Sequence, residues 1–326
     1  MSASAIFVLK QFRMIEREFA WGSGKRYNDY SAYFRKRFEG RVQKISLDAG
    51  FTCPNRDGSR GTGGCTYCNN RSFNPDYCRM EQNIAAQIVK GISFFSAKYP
   101  AMRYLAYFQA YSNTYAPVDV LRKFYEEALR HPEVIGLVIA TRPDCLSDQV
   151  LDLLSEFAER CYVSIELGVE SFREETLLRI NRGHTAQESI AAIHRIAARK
   201  IDNCVHLILG LPGENDADFI EQACIISKLP VQSIKLHQLQ LHKGTQMAID
   251  YSFNPSGFSL FSVDQYADLV VRYLERLSPN IIVQRFVSSA PAALVVGPNW
   301  GLKNFEFVAK VEKLLEVRDT WQGRLI

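Results

Sequence analysis

The sequence predicts an α/β fold: an incomplete barrel of six strand–helix units, (β/α)6, with an extension at each end. Three observations predict it. Segments such as VIGLVIAT (Val134 to Thr141) and NCVHLILG (Asn203 to Gly210) are near-continuous apolar runs, the mark of parallel strands covered on both faces. Such runs alternate with capped helical patterns about every 30 residues, the span of a right-handed βαβ unit. No low-complexity linker divides the chain, and 326 residues suffice to bury one core of this size. A closed barrel takes eight strands, and six or seven fall short. The expected organisation is an N-terminal extension over 1–41, the barrel over 42–287 and a helical extension over 288–326.

Each element has its own signal. VQKISL (Val42 to Leu47) is the first strand. Glu81 to Lys98 reads as a helix ended by Pro100. RYLAYFQ (Arg103 to Gln109) is the second strand, and Pro117 opens a helix through Arg130. Val134 to Thr141 follows as a strand, and Ser147 caps a helix to Ala158. Next come the strand Cys161 to Gly168, a short helix with Ser171 and Glu174 as its capping box, and a helix to Arg199 boxed by Thr185 and Glu188. Asn203 to Gly210 is the fifth strand, Asp216 to Lys228 a helix, and SIKLHQLQL (Ser233 to Leu241) the sixth strand. Ser262 and Gln265 box a helix to Leu277, Ile281 to Val287 reads as a seventh strand, and Lys303 to Glu316 as the last helix.

Composition narrows the function classes. No apolar run approaches the roughly 18 residues of a membrane span. AIFVL (Ala5 to Leu9) is too short for an export signal and has no basic residue before it. Eight cysteines without such a signal point to a reducing, cytoplasmic setting in which thiols serve metals or cores. Cys145, Cys161, Cys204 and Cys224 lie in or beside apolar runs and read as packing residues. Residues 1–13 read as a dispensable extension, with Met14 an alternative start. The net charge is only +4. Between Gly22 and Lys44, however, seven Lys/Arg stand against Asp29 and Glu39. There Lys25, Arg26, Arg35, Lys36 and Arg37 interleave with Tyr27, Tyr30, Tyr33, Phe34 and Phe38. That mixture suits a looped or single-stranded RNA. It equally suits an amphipathic helix with its aromatics packed and its cations in water.

The chemistry centres on FTCPNRDGSRGTGGCTYCNN, residues 51–70. Cys53, Cys65 and Cys68 form a soft-ligand set. Gly58, Gly61, Gly63 and Gly64 let the loop fold tightly around a bound centre. A structural zinc would recruit Cys78 as a fourth thiolate. An iron–sulfur cluster on three cysteines keeps one iron open.

The other unusual residues follow the strands, where such folds keep their chemistry. Gln109, Tyr111, Ser112 and Asn113 follow the second strand, and Thr141, Arg142 and Asp144 the third. Glu166, Glu170 and Ser171 end the fourth, with Gly210, Pro212, Gly213 and Glu214 at the fifth. His237, Gln238, Gln240, Lys243 and Thr245 end the sixth.

The succession CPNRDG…GGCTYC, TRPD, ELGVES, INRGHT and LGLPGE resembles the radical S-adenosylmethionine (SAM) domain of the Elongator catalytic-subunit class. With AWGSGKRYNDYS, FNPDYC, YFQAYSNTYAP, KLHQLQLHKGT and PNWGLKN, the chain is similar to the YhcC/YtqA family of radical SAM proteins from Trp21 to its end. The spacing of the first two cysteines, eleven residues rather than the superfamily's usual three, is a departure.

The resemblance implies a TIM-like partial barrel of radical SAM type. Cys53, Cys65 and Cys68 would hold a four-iron four-sulfur (4Fe–4S) cluster whose open iron chelates SAM. Tyr67 would lie near the adenine, and the backbone around Leu209 and Leu239 would flank it. Gln109 to Asn113 occupies the place of the superfamily's glycine-rich amino-group motif, which is not evident here. Glu166 and Glu170 would hold the ribose or amino group, and Arg182 the carboxylate. Reductive cleavage would yield a 5′-deoxyadenosyl radical, with Cys78 a candidate catalytic thiol. The implied substrate is a tRNA wobble uridine, its carboxymethylaminomethyl group converted to aminomethyl. The implied electron donor is a flavodoxin or ferredoxin. Two alternatives stand: the same chemistry on a small-molecule or protein substrate, and a zinc-stabilised, non-catalytic RNA-binding protein.

Overall fold

The computed structural model describes residues 18–72, 74, 75, 77, 78, 83–97, 102–288 and 290–326. The extension over 1–13 and the helix start at Glu81 lie outside them. The elements in chain order are α1 (Tyr30–Phe38), β1 (Val42–Leu47), α2 (Ile84–Ser96), β2 (Arg103–Phe108), α3 (Val118–Leu129), β3 (Val134–Thr141), α4 (Asp148–Ala158) and β4 (Tyr162–Glu170). Then follow α5 (Glu174–Arg179), α6 (Ala186–Ala198), β5 (Asp202–Leu209), α7 (Asp216–Ser227), β6 (Ser233–Gln238) and β7 (Leu241–His242). The chain closes with α8 (Gln246–Phe253), α9 (Val263–Glu275), β8 (Ile282–Arg285), β9 (Val295–Gly297) and α10 (Asn304–Val317).

Seven parallel strands in the order β1-β2-β3-β4-β5-β6-β8 curl into a half-barrel. The first and last strands do not pair, so a seam runs down one side. This is the expected incomplete barrel. Outward residues such as Phe108, Leu137, Ile165, Leu207 and Leu236 meet the helices in the main core. On α9, Leu269, Val270 and Leu274 are fully buried there, each contributing about 1.5–3 kcal/mol before entropic costs.

Several helices start where their side chains cap them. Asn83, Ser147 and Asp29 accept from the backbone of α2, α4 and α1, and capping boxes at Thr185/Glu188 and Ser262/Gln265 open α6 and α9. The box expected at Ser171 and Glu174 does not form. Arg173 is the cap residue of α5. Ser171 Oγ donates to Glu214 instead, and Glu174 accepts from Ala186 N at 2.8 Å. Tertiary partners outcompete the local motif. Pro117 is the residue before α3 rather than its first.

The basic–aromatic segment forms the amphipathic helix α1, which plugs the N-terminal end of the half-barrel. Phe34 is buried with Leu105, Tyr107 and Val138, and its ring lies 5.7 Å from that of Tyr162. Before the helix, Val283 N donates to Asn28 O at 2.8 Å, covering the β8 edge.

Two departures shape the opposite end. The sixth strand stops at Gln238, and the chain turns so that Leu241–His242 pairs antiparallel with Val295–Gly297. Thr245 then caps α8, a helix with no clear sequence signal because Ile249 and Phe253 stay exposed. The backbone N of Met247 donates to Thr66 O at 2.8 Å, seating α8 on the cysteine loop.

Candidate active site

The strand interiors decide the site. Inward positions of the half-barrel carry Lys44, Tyr107, Glu166, His206, Lys235 and Gln284, and a cavity of about 680 Å³ runs over them from the cysteine loop to the seam. Cys53, Cys65, Cys68, Tyr67, Gln109, Glu166, Glu170, Arg182 and Leu239 all line it.

At the upper end, the loop after β1 folds back on itself. Gly64 has φ +79°, a left-handed conformation that favours glycine. Arg182 Nη1 lies 3.3 Å from Cys65 Sγ, Asn55 Nδ2 lies 3.7 Å from the same sulfur, and Arg142 Nη1 lies 4.0 Å from Cys53 Sγ. Two guanidinium groups thus stand beside the sulfurs of Cys65 and Cys53. Burial raises the Cys68 thiol, and the neighbouring Cys65 adds to that, while Arg56 opposes it.

The donor set distinguishes the two metals. Among the described residues only Glu166, Cys204 and His206 bring three ligand atoms within 4.8 Å of one another. The three loop thiols therefore do not all lie within that distance of one another. A single zinc, with Zn–S near 2.3 Å, draws its sulfurs to within roughly 4 Å. A cluster distributes its cysteines over several irons, and the three spread thiols fit one. Cys78 does not join them. It lies off the cavity, buried, with its thiol pushed up to about 12 by burial and Asp48. Neither the fourth-ligand nor the catalytic-thiol role fits that position. At Glu166, Cys204 and His206 two ammonium groups already occupy the carboxylate, which disfavours a cation.

Tyr67, Glu170 and Arg182 converge under the loop. Burial raises the Glu170 carboxyl, opposed by Arg182, 3.6 Å away, and by a hydrogen bond from Tyr67. Gly168 makes the approach possible, since a Cβ there would meet both Arg182 Nη2 and Glu170 Oε1 at 2.7 Å. Glu170 itself sits at φ +71°, an uncommon conformation for a side-chain-bearing residue. Leu239 N donates to Leu209 O at 2.8 Å.

Several expected residues stand elsewhere. Asn113 does not line the cavity. It is buried behind it, donating to Ala140 O at 2.9 Å. The Leu209 side chain faces the outer core with no exposed surface, while its backbone, the part expected near the adenine, stays bonded to Leu239. Gln109 lines the cavity and accepts from Ser46 Oγ at 2.9 Å. Arg142 pairs with Asp144 at 2.9 Å. Glu214 is buried against Ser171 and Gln222.

Glu166 is the largest correction. Because β4 runs on to Glu170, Glu166 lies at mid-barrel, below the strand end. Lys44 Nζ is 2.6 Å from Oε1, while Lys235 Nζ (2.5 Å), Tyr107 Oη (2.6 Å) and His206 Nε2 (3.0 Å) surround Oε2. Burial alone would raise this carboxyl, but Lys235, Lys44 and His206 hold it well below the usual range. A carboxylate so engaged is the anchor of an interior network at mid-barrel rather than a ligand at the strand end. The sequence did carry a signal for its partners. Lys44, His206, Lys235 and Gln284 are polar residues at inward positions of their strands, and every one of those strands also carries apolar residues for the outer core.

The five basic residues on and before α1 divide. Lys25 pairs with Glu312 at 2.9 Å, Arg26 with Asp319 at 2.9 Å and Arg37 with Asp202 at 3.0 Å. Arg35 and Lys36 are exposed, and Arg35 lines the cavity at the seam.

Comparison with known proteins agrees with this geometry. Residues 56–223 match the radical SAM superfamily and residues 231–317 its C-terminal domain. The chain is 38% identical to the uncharacterized protein YtqA of Bacillus subtilis over 300 residues, 92% of either chain. It is 35% identical to protein YhcC of Escherichia coli over 292 residues, 89% of this chain and 93% of that one. Among solved structures, an archaeal Elp3 from Methanocaldococcus infernus superposes with a TM-score of 0.66 at 15% identity, covering 86% of this chain and 64% of that one. That last likeness is one of fold. Among the described residues no helix is long and apolar enough to cross a membrane.

Proposed function

Because this chain belongs to the radical SAM superfamily, in the family of YtqA and YhcC, we propose that it is a radical SAM enzyme acting on a tRNA wobble uridine. The reaction would convert a carboxymethylaminomethyl side chain to aminomethyl. The observation that carries the reading is three spread thiols above a cavity of about 680 Å³ that reaches an open seam. When bound on Cys53, Cys65 and Cys68, a 4Fe–4S cluster supplies the electron that cleaves SAM reductively to methionine and a 5′-deoxyadenosyl radical.

The chain's own residues would bind, orient and shield. Tyr67 and the Leu239 backbone would flank the adenine, and Glu170 and Arg182 would offer a charge-assisted pair to the polar groups of SAM. Met247 and Tyr67 belong to one apolar cluster beneath α8, which excludes water from a site where a carbon radical would react with it or with any neighbour. Substrate enters from the seam, where Arg35, Arg41 and Arg285 line the cavity and can meet phosphate. A flavodoxin or ferredoxin is the reductant this chemistry calls for.

The test is anaerobic. Protein reconstituted with iron and sulfide receives dithionite and SAM, and 5′-deoxyadenosine is sought by mass spectrometry. Its absence from fully loaded protein sinks the radical SAM reading. If it forms but hypomodified tRNA neither accelerates it nor changes mass, the substrate is a small molecule or protein instead. Cys65→Ala is expected to lose the iron and sulfide after reconstitution, and a fully loaded variant would contradict the ligand assignment.

A further inference from the structure

The cavity has an unbalanced charge. Among the described residues its lining holds eight Lys or Arg against two carboxylates, Glu166 and Glu170. Glu170 is engaged with Arg182 at the upper end. The lower half therefore has one carboxylate for two ammonium groups, and Arg285 stands beside them across the β6–β8 register. Lys44 and Lys235 have side chains only 17% and 8% exposed. Surplus charge at that depth is costly unless a counter-charge arrives.

The hydrogen bonds point the same way. An ammonium offers three donors. Lys235 Nζ gives one to Glu166 and one to Tyr107 Oη at 3.4 Å. Lys44 Nζ gives one to Glu166 and one to Gln284 Oε1 at 2.8 Å. Among the described residues each keeps one donor without a hydrogen-bond partner, and both residues line the cavity. His206 and His237 stand beside them with rings 5.4 Å apart. Burial, first of all, keeps both imidazoles neutral, so they add hydrogen-bond capacity without charge.

We propose that the floor of the cavity is an oxyanion subsite, in which Lys44 and Lys235 receive a carboxylate or phosphate oxygen of the substrate. Glu166 is a positioning residue that fixes both ammonium groups at one height. The oxyanion preference follows from this lining alone. Its assignment to the carboxylate of a carboxymethylaminomethyl group rests on the function proposed above, since that carboxylate is the one oxyanion on the modified base.

Reconstituted protein with SAM is titrated with anticodon stem-loops bearing carboxymethylaminomethyluridine, aminomethyluridine or unmodified uridine. The carboxylate-bearing loop should bind at least about tenfold more tightly, the worth of one charge-assisted bond. Lys235→Met should abolish that preference and Lys235→Arg retain part of it. Lys44→Met is an independent variant with the same expected loss, and iron content reports whether each variant has folded. If Lys235→Met weakens all loops equally, the occupant is a backbone phosphate. If no loop depends on either lysine, the subsite is wrong and the tRNA reading survives. If no loop binds the unaltered protein, the tRNA reading falls, and acetate and inorganic phosphate become the probes. Either anion should raise the melting temperature of the unaltered protein and not of Lys235→Met, and no rise with either overturns the subsite.

Discussion

Glu166 has no exposed surface and meets four side chains, Lys44, Lys235, Tyr107 and His206. Removing one member of a buried ion pair leaves the others desolvated and uncompensated. Glu166→Ala should therefore cost about 3–5 kcal/mol of stability in urea unfolding, and a loss under about 1 kcal/mol would mean that water reaches these charges. Lys235 gives a second prediction. Burial first, then Lys44 and Arg285, depress its ammonium to about 8 against the restoring pull of Glu166 and Cys204, with Tyr107 and His237 also facing it. Between about 8 and 10.5 the unfolded chain holds a proton that the folded chain has released, so this residue makes stability rise with pH across that window. A docked oxyanion reverses the shift. Binding should take up part of a proton near about pH 8.5 and almost none near about pH 6.5. Calorimetry in two buffers of different ionisation enthalpy measures it, and equal apparent enthalpies at the higher pH would contradict it.

At the scale of the element, α1 shows how one stretch answers two demands. Its aromatics close the barrel floor: Phe34 is buried, and Phe38 and Tyr162 meet at 5.4 Å. Three of its neighbourhood's cations are neutralised by carboxylates, and exposed pairs of this kind add little stability. Arg35 and Lys36 are exposed. The double variant Arg35→Glu with Lys36→Glu should weaken tRNA binding and flatten its dependence on salt. Unchanged affinity and slope would leave α1 as a plug with a solvated face. The loop after β1 is the complementary case. Its glycines and its three cysteines were legible at once, because backbone freedom and thiolate chemistry are properties of the residues themselves. What holds the thiols, Arg142 and Arg182 from two later loops, was not legible as a pairing.

For the whole molecule, the ends of the described chain are tied together. Gln322 is 1% exposed. It accepts from Asn28 N at 2.9 Å and donates to Ser278 O at 2.6 Å and Ile281 O at 2.7 Å. Arg26 meanwhile reaches Asp319. This knot holds the segment before α1 against β8 and so fixes one lip of the seam. Gln322→Ala strands buried donors and acceptors, at about 1–3 kcal/mol for each group left unpaired. It should lower stability and speed proteolysis near residues 22–29, and an unchanged cleavage rate there would show that the plug is held by α1 alone.

The sequence by itself determined the fold class, the order of the strands and the cysteine loop. These depend on apolar runs, capping residues and glycine, whose effects act over a few neighbours along the chain. It also carried polar residues within the strands, although their meaning depended on which face they took. Only the tertiary structure decided that Glu166 serves the interior, that Asn113 and Cys78 stand off the cavity, and that α8 covers Tyr67. Those outcomes are set by the end point of β4, by the curl of the sheet and by contacts more than a hundred residues apart. There a buried charge takes whichever partner the folded backbone brings within about 3 Å, and no local pattern specifies that choice.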